Sequence, residues 1–297
     1  KKQFKGYDLP MKLTDQGKVW QQMGRRVEVA GRSVFVIESK NQSSHLPHLL
    51  ILHGYPTCSF DYHKVLPILS QNFMVVIHDH LGFGFSDKPK EYSYSLIEQC
   101  DVTLLLWQQL GIKKGHVLAH DYGTSVATEL VHRNNHFDLP LDVQSLTLCN
   151  GSMHVELAQL RLIQKLLLNR WTGPLMARLS SEKTLSKNLK QIYHDAGQVS
   201  DDEIATLWQM MTHNEGKLVI AQTTQYIAER YKFWQRWIGA LQQTALPTHV
   251  LWAENDPVAV LKMAQVLHKE IQNSELSLLP QSGHFPMLET PERWSDA

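Results

Sequence analysis

Apolar residues along this chain recur at two spacings, and the alternation between them marks out its layers. Val34-Phe35-Val36-Ile37 and His48-Leu49-Leu50-Ile51-Leu52-His53 are short β-branched and aliphatic runs, and they place strands within residues 26–53. Phe60 to Leu69 has helical spacing, Phe73-Met74-Val75-Val76-Ile77 is a further buried strand, and a turn-rich stretch runs from Asp79 to Asp87. Ser95 to Leu110 fits an amphipathic helix closed by Gly111. A strand ends just before Asp121, a helix begins just after it, and Val143 to Cys149 is the next strand. Strands that alternate with helices imply right-handed crossovers, hence an α/β protein with a mostly parallel sheet and helices on both faces.

After Asn150-Gly151 the spacing changes. Leu162-Ile163, Leu166-Leu167, Met210-Met211, Tyr226-Ile227 and Trp234 with Trp237 fall on helical stripes, with no clear strand among them. The alternation resumes at Pro247–Trp252 and at Leu276–Leu279. A helical block between two strands of one sheet reads as an inserted cap over the strand C-terminal ends, where ligands bind in open α/β sheets. The expected division is a core from 1–150, a cap at 151–243 and a second core part at 244–297. Leu, Ile, Met and Trp in the cap predict an apolar pocket, although the same stripes also serve cap–core packing.

Charge adds mainly exclusions. The chain has 297 residues, with 29 Lys plus Arg against 29 Asp plus Glu, so overall balance predicts neither nucleic acid nor an anionic membrane as partner. Cys58, Cys100 and Cys149 lack metal-like spacing and read as buried thiols of a reducing compartment. The opening Lys1–Gly6 has no apolar core of a signal peptide, and runs such as Leu104–Trp107 are too short to span a bilayer. The expected location is cytoplasmic. Neither His-Glu-x-x-His nor His-x-x-Glu-His occurs, and no metal or other cofactor is expected.

The candidate chemistry centres on Ala119-His120-Asp121-Tyr122-Gly123, which has the small-x-nucleophile-x-small pattern of a strand–turn–helix elbow, with a carboxylate where serine is usual. Serine must lose a proton to attack; an aspartate, with an unperturbed pKa of about 3.9, needs no base. A carboxylate there suits displacement at an sp³ carbon, giving an ester that water must then cleave. Asp256 and His284 follow later strands in the order nucleophile, acid, histidine. His284 would take a proton from water and Asp256 would orient the imidazole. The backbone N–H groups of Tyr55 and Tyr122 are the expected oxyanion donors. Other readings stand beside these: Asp121 as a helix N-cap, Glu254 as a competitor of Asp256, His53 and His120 as structural or supporting residues, and Asp79 as the organiser of the Gly82/Gly84 loop.

His53-Gly54-Tyr55-Pro56, Asp79-x-x-Gly82-x-Gly84-x-Ser86, His120-Asp121-Tyr122-Gly123, Asp256-Pro257 and Gly283-His284 together resemble the α/β-hydrolase superfamily. They are most similar to its aspartate-nucleophile branch of epoxide hydrolases and haloalkane dehalogenases. A tighter similarity, to the mesoderm-specific-transcript-like group, rests on Leu81–Pro89, His120–Gly123, Gln225–Ile227 and Arg236–Leu241. The resemblance implies an eight-stranded α/β-hydrolase fold. Tyr55 and Tyr122 stand where dehalogenases of this branch present the asparagine and tryptophan that grip halide, which lowers that activity. Epoxide hydrolases accept an aromatic in the His-Gly-x-Pro slot and use cap tyrosines to protonate the opening alkoxide. Tyr226 matches one such position, though it also fits a core stripe; Tyr193 is the weaker candidate for the other. The leading expectation is a cofactor-free hydrolase, epoxide hydrolase-like, acting on a small apolar molecule. The alternatives are haloalkane dehalogenation and ligand binding without turnover.

Overall fold

The structure, a computed structural model, describes residues 13–39 and 45–297; the expectation for Lys1–Gly6 lies outside them. Helix α1 (Asp15–Met23) leads into a hairpin of β1 (Arg25–Val29) and β2 (Arg32–Glu38). Its two turn residues, Ala30 and Gly31, both have positive φ, which matches the right-handed twist of the flanking strands. After β3 (His48–Leu52), the helix expected over Phe60–Leu69 is interrupted: a 3₁₀ turn at Ser59–Tyr62 precedes the short α2 (Leu66–Leu69). Pro67 sits in the first turn of α2, where its missing N–H costs nothing; a continuous helix would have placed it in the interior.

The core continues through β4 (Met74–His78), α3 (Leu96–Gln109), β5 (Lys114–His120), α4 (Tyr122–His136) and β6 (Asp142–Cys149). The Ser95 hydroxyl caps α3 by accepting from the Ile97 N–H. Between the last of these strands and the next lie α5 (Leu162–Leu168), α6 (Thr172–Leu179), α7 (Glu182–Lys190), α8 (Asp201–Thr212), α9 (Ile220–Thr223) and α10 (Tyr226–Gln243). The chain returns to the sheet with β7 (Thr248–Ala253), α11 (Leu261–Glu270) and β8 (Ser274–Leu279), then ends in α12 (Pro286–Glu289) and α13 (Pro291–Asp296).

The eight strands form one sheet in the order β1-β2-β4-β3-β5-β6-β7-β8. Only β2 pairs antiparallel, with β1 and with β4; the other neighbours are parallel. The strand order reverses between β3 and β5, the place where open α/β sheets leave a crevice. Register then fixes who meets there. Leu52 pairs with Ala119, and His120 pairs with Cys149, so the segments after β3, β5 and β6 leave the sheet side by side. Successive residues of β5 face opposite layers: Val117 and Ala119 pack into one apolar core, Leu118 into the other.

Helix α10 has two duties. It belongs to the helical insertion in sequence, yet it packs along α4. Its Arg236 and Trp237 donate to the Glu129 carboxylate, buried on α4, at 2.9 Å each. This anchor fixes the second half of α10 against α4. The loop after β4 is organised as expected by Asp79, whose carboxylate accepts from the Ser59 and Phe85 N–H groups at 2.8 Å. A Cβ on Gly84 would lie 2.0 Å from that carboxylate. Asp79→Ala strands both buried donors, so we expect a loss of about 2–6 kcal/mol in stability; an unchanged thermal midpoint would show the loop to be held by other contacts.

Candidate active site

The turn between β5 and α4 is bent to a degree few residues tolerate. Asp121 has φ 44° and ψ −107°, a region costing on the order of 1–3 kcal/mol for a residue with a Cβ. The turn is held from three sides: the Asp121 N–H donates to Cys149 O at 3.2 Å, and its carbonyl accepts from Thr124 N–H at 3.1 Å and from Arg230 Nη2 at 2.9 Å. Gly123 is required by close approach, since a Cβ there would sit 2.3 Å from the Leu52 carbonyl oxygen. The Asp121 carboxylate makes no capping bond to α4, so the N-cap alternative does not describe this side chain. Its Oδ2 instead accepts from the Tyr55 N–H at 3.0 Å. Tyr122 opens α4, and an N–H in a first turn has no acceptor within its own helix. The Tyr55 N–H thus lies at the Asp121 carboxylate, and the Tyr122 N–H follows it in the chain at the start of α4.

His284 faces Asp121 from the segment after β8. Its Nε2 lies 4.0 Å from Asp121 Oδ2, too far for a hydrogen bond. Its Nδ1 meets Asp256 Oδ2 at 2.7 Å, so Asp256, not Glu254, is the carboxylate behind the imidazole. Asp256 is itself fixed: Asn150 Nδ2 donates to Oδ2 at 2.8 Å, and the Val258 and Ala259 N–H groups donate to Oδ1 at 2.7 and 3.0 Å. Asn150 also accepts from the Ala253 N–H at 2.9 Å, which ties the end of β6 to the end of β7. Burial pulls the His284 pKa down, but the charge and hydrogen bond of Asp256, with Asp121 behind them, outweigh it and push the imidazole up to about 9. All three side chains are nearly sealed, with Asp121 and His284 each 3% exposed and Asp256 4%.

The supporting histidines have defined jobs. His120 Nε2 lies 2.7 Å from the His284 carbonyl oxygen, so it donates there and holds the backbone of the catalytic candidate. His53 Nε2 accepts from the His80 N–H at 3.0 Å, which leaves the proton on Nδ1 to donate to Gly54 O at 2.8 Å. Burial lowers both pKa values, that of His120 to about 4, and both rings act as neutral spacers.

The two cap tyrosines part company. The Tyr226 ring lies 5.3 Å from that of Tyr55 and 5.0 Å from that of Tyr122, packed against the side chains of the two residues whose N–H groups are the expected oxyanion donors. Burial, and then the Asp121 charge, push its hydroxyl well above the ordinary phenol range, so it keeps its proton. Tyr193 instead packs its ring 6.0 Å from that of Phe285, and the charges acting on it are Asp61, Glu203 and Glu289. Only Tyr226 of the pair shares Asp121's surroundings. Tyr55 is no substitute donor. Thr224 Oγ1 donates to Ile220 O at 2.7 Å, so the Tyr55 hydroxyl, 2.7 Å from Thr224 Oγ1, must donate to Thr224 and away from Asp121.

Three residues of the site were not singled out in the sequence reading. Arg230, 4% exposed, donates from Nε to Ser125 Oγ at 2.7 Å and from Nη2 to the Asp121 carbonyl. It lies 3.8 Å from Asp121 Oδ1 and stacks 4.7 Å from the Tyr226 ring centre. Its signal was its place four residues after Tyr226, on the same helix face. Asn150 was visible only as a chain boundary. Asp61 is fully buried, with Thr57 Oγ1 donating to Oδ2 at 2.5 Å and Oδ1 unpartnered among the described residues. Burial, opposed only partly by Thr57, raises its carboxyl well above the usual range. Among the described residues no group of three or more His, Cys, Asp or Glu side chains could hold a metal ion, and none of their helices is long and apolar enough to cross a membrane.

Residues 47–291 match the alpha/beta hydrolase fold family. The chain belongs to that family. It is 36% identical over 278 residues to LipZ of Mycobacterium tuberculosis, which is named as a hydrolase, covering 94% of this chain and 95% of that one. It is 33% identical over 289 residues to the mesoderm-specific transcript homolog protein of Homo sapiens, covering 95% and 86%. The solved structure of haloalkane dehalogenase DbeA from Bradyrhizobium elkani USDA94 superposes with a TM-score of 0.79 at 20% identity, covering 92% of this chain and 94% of that one; at that identity the likeness concerns the fold. A hydrolase of the α/β-hydrolase fold is thus the coarse identity of this protein.

Proposed function

We propose that this hydrolase works through an aspartyl-ester intermediate and opens small apolar epoxides. Asp121 attacks a ring carbon, the C–O bond breaks, and the alkoxide takes a proton from the Tyr226 hydroxyl. The oxygen of water, deprotonated by His284, then attacks the ester carbonyl. The resulting oxyanion is met by the Tyr55 and Tyr122 N–H groups; the ester C–O bond to the diol then breaks, the departing diol oxygen takes the imidazolium proton from His284, and the proton left on the carboxyl group returns to the Tyr226 phenolate, so Asp121 is a carboxylate again. The observation that supports this reading is the position of Tyr226: a phenol that keeps its proton, its ring centre 5.3 Å from that of Tyr55, 5.0 Å from that of Tyr122 and 4.7 Å from the Arg230 guanidinium, and near enough to Asp121 for that charge to raise its pKa. The six insertion helices act as the cap that excludes bulk water.

Phenol donation separates epoxide opening from dehalogenation, because halide leaves without a proton. Tyr226→Phe is therefore expected to lower epoxide turnover by about 10²–10⁴-fold and to leave any displacement of bromide unaffected. Diol and bromide release, measured on a panel of epoxides and bromoalkanes, checks this. Fast bromide release with untouched styrene oxide would defeat the epoxide reading. A complete Asp121, Asp256 and His284 set favours turnover over silent ligand binding.

A further inference from the structure

Helices α5 and α6 are apolar on both faces. Inward, Leu167 and Ala177 are buried with Ile220 of α9 in a small separate core. Outward, Leu162 is 72% exposed, Trp171 79%, Leu175 55% and Leu179 65%. Trp171, Leu175 and Leu179 follow one another at four-residue spacing, so they share one side of α6. A helix apolar all round is ordinarily one that something covers.

Charge identifies the cover. The whole chain is neutral, at 29 basic against 29 acidic residues, but the balance is not uniform. Residues 157–181 carry Arg161, Lys165, Arg170 and Arg178 and no acidic residue. Extended to residue 190, the stretch gains Lys183, Lys187 and Lys190 against Glu182, so it holds 7 basic and 1 acidic residue, a net +6 that the rest of the chain offsets at −6. Lys165, Arg170 and Arg178 are exposed among the outward leucines, and the Arg170 guanidinium lies 5.2 Å from the Trp171 ring centre. A second copy of the chain fits poorly, because a two-fold contact would set this basic patch against itself.

We infer that the outer face of α5 and α6 docks on an anionic lipid bilayer, with Trp171, Leu175 and Leu179 in the interface and Lys165, Arg170 and Arg178 at the headgroups. Leucines and a tryptophan ringed by cations are the composition of a helix that lies in a membrane surface without spanning it. This docking does not depend on which bond the active site breaks.

Co-sedimentation of the full chain with vesicles tests it. Binding is expected to phosphatidylcholine vesicles containing about one-third phosphatidylserine, to fall at least about tenfold on pure phosphatidylcholine, and to weaken as salt is raised. The Lys165→Glu/Arg170→Glu/Arg178→Glu variant should lose the preference for phosphatidylserine. The Trp171→Ser/Leu175→Ser/Leu179→Ser variant should lose at least about tenfold in partition while keeping its melting temperature, since these side chains are already in water. No pelleting of the unaltered protein with phosphatidylserine vesicles overturns the inference, as does equal pelleting of the serine variant. A dimer in sedimentation velocity that the serine variant dissolves, without vesicle binding, would assign the face to a second copy and also overturn it.

Discussion

Asp121→Ala is expected to lower epoxide turnover by about 10⁴-fold or more, because it removes the group proposed to form the bond to carbon. The loss is chemical rather than structural. The turn is held by the Asp121 backbone, through Cys149, Thr124 and Arg230, and alanine keeps all three bonds. It also removes a side chain that caps no helix, so the fold and its melting temperature should survive. Single turnover of the unaltered protein in heavy-oxygen water supplies the positive test: one label enters the Asp121 carboxyl group, because the attacking oxygen ends there. Labelled diol with an unlabelled Asp121, or an alanine variant of nearly full activity, would mean that water attacks the substrate directly.

His284→Gln should separate the two halves of the cycle. Attack by Asp121 needs no base, so the alkyl ester still forms; its hydrolysis needs one, so the ester accumulates and intact-protein mass spectrometry finds the added mass of one substrate. The pH dependence of the unaltered protein follows from the same geometry. In the resting site the carboxylates of Asp256 and Asp121 hold the imidazole up at about 9 despite burial. Once Asp121 is an ester its charge is gone, and of the influences that raised the value only the charge and hydrogen bond of Asp256 remain. His284 therefore becomes a better-poised neutral base at the moment a base is required. Ester breakdown should speed up with rising pH along a limb whose midpoint lies below about 9, and level off above it. Breakdown that ignores pH between 6 and 9, or a glutamine variant that never gains mass, would remove His284 from the role of base.

Much of the fold was legible because its signals are local. The alternation of short apolar runs with helical stripes placed β3 to β8 and α3 to within a residue or two, put the start of α4 after Asp121, and marked the insertion as a helical block without dividing it into its helices. Ser95 and Gly111 marked the ends of α3 for reasons confined to one turn of chain. The exception, the helix expected over Phe60–Leu69, was also local: an apolar periodicity outvoted Pro67, and the backbone obeyed the proline. The insertion was legible as helical, but α10 proved to be a wall of the core too, because Glu129 lies more than a hundred residues away from the Arg236 and Trp237 that grip it.

The order Asp121, Asp256, His284 could be read from the chain because each follows a strand, and parallel strands deliver their C-terminal ends to one edge. What the chain could not convey was which neighbours would surround them. Tyr226 and Tyr193 are equivalent as letters; packing put one against Tyr122 and the other on Phe285. Asn150, Arg230 and Asp61 reach the site across long sequence separations, and no periodicity registers such a meeting. Periodicity reports the conformation of a few adjacent residues, whereas the charge on His284 and the proton on Tyr226 depend on burial and on carboxylates contributed by other segments. Element type was therefore a property of the sequence, and the protonation of the site a property of the packed fold.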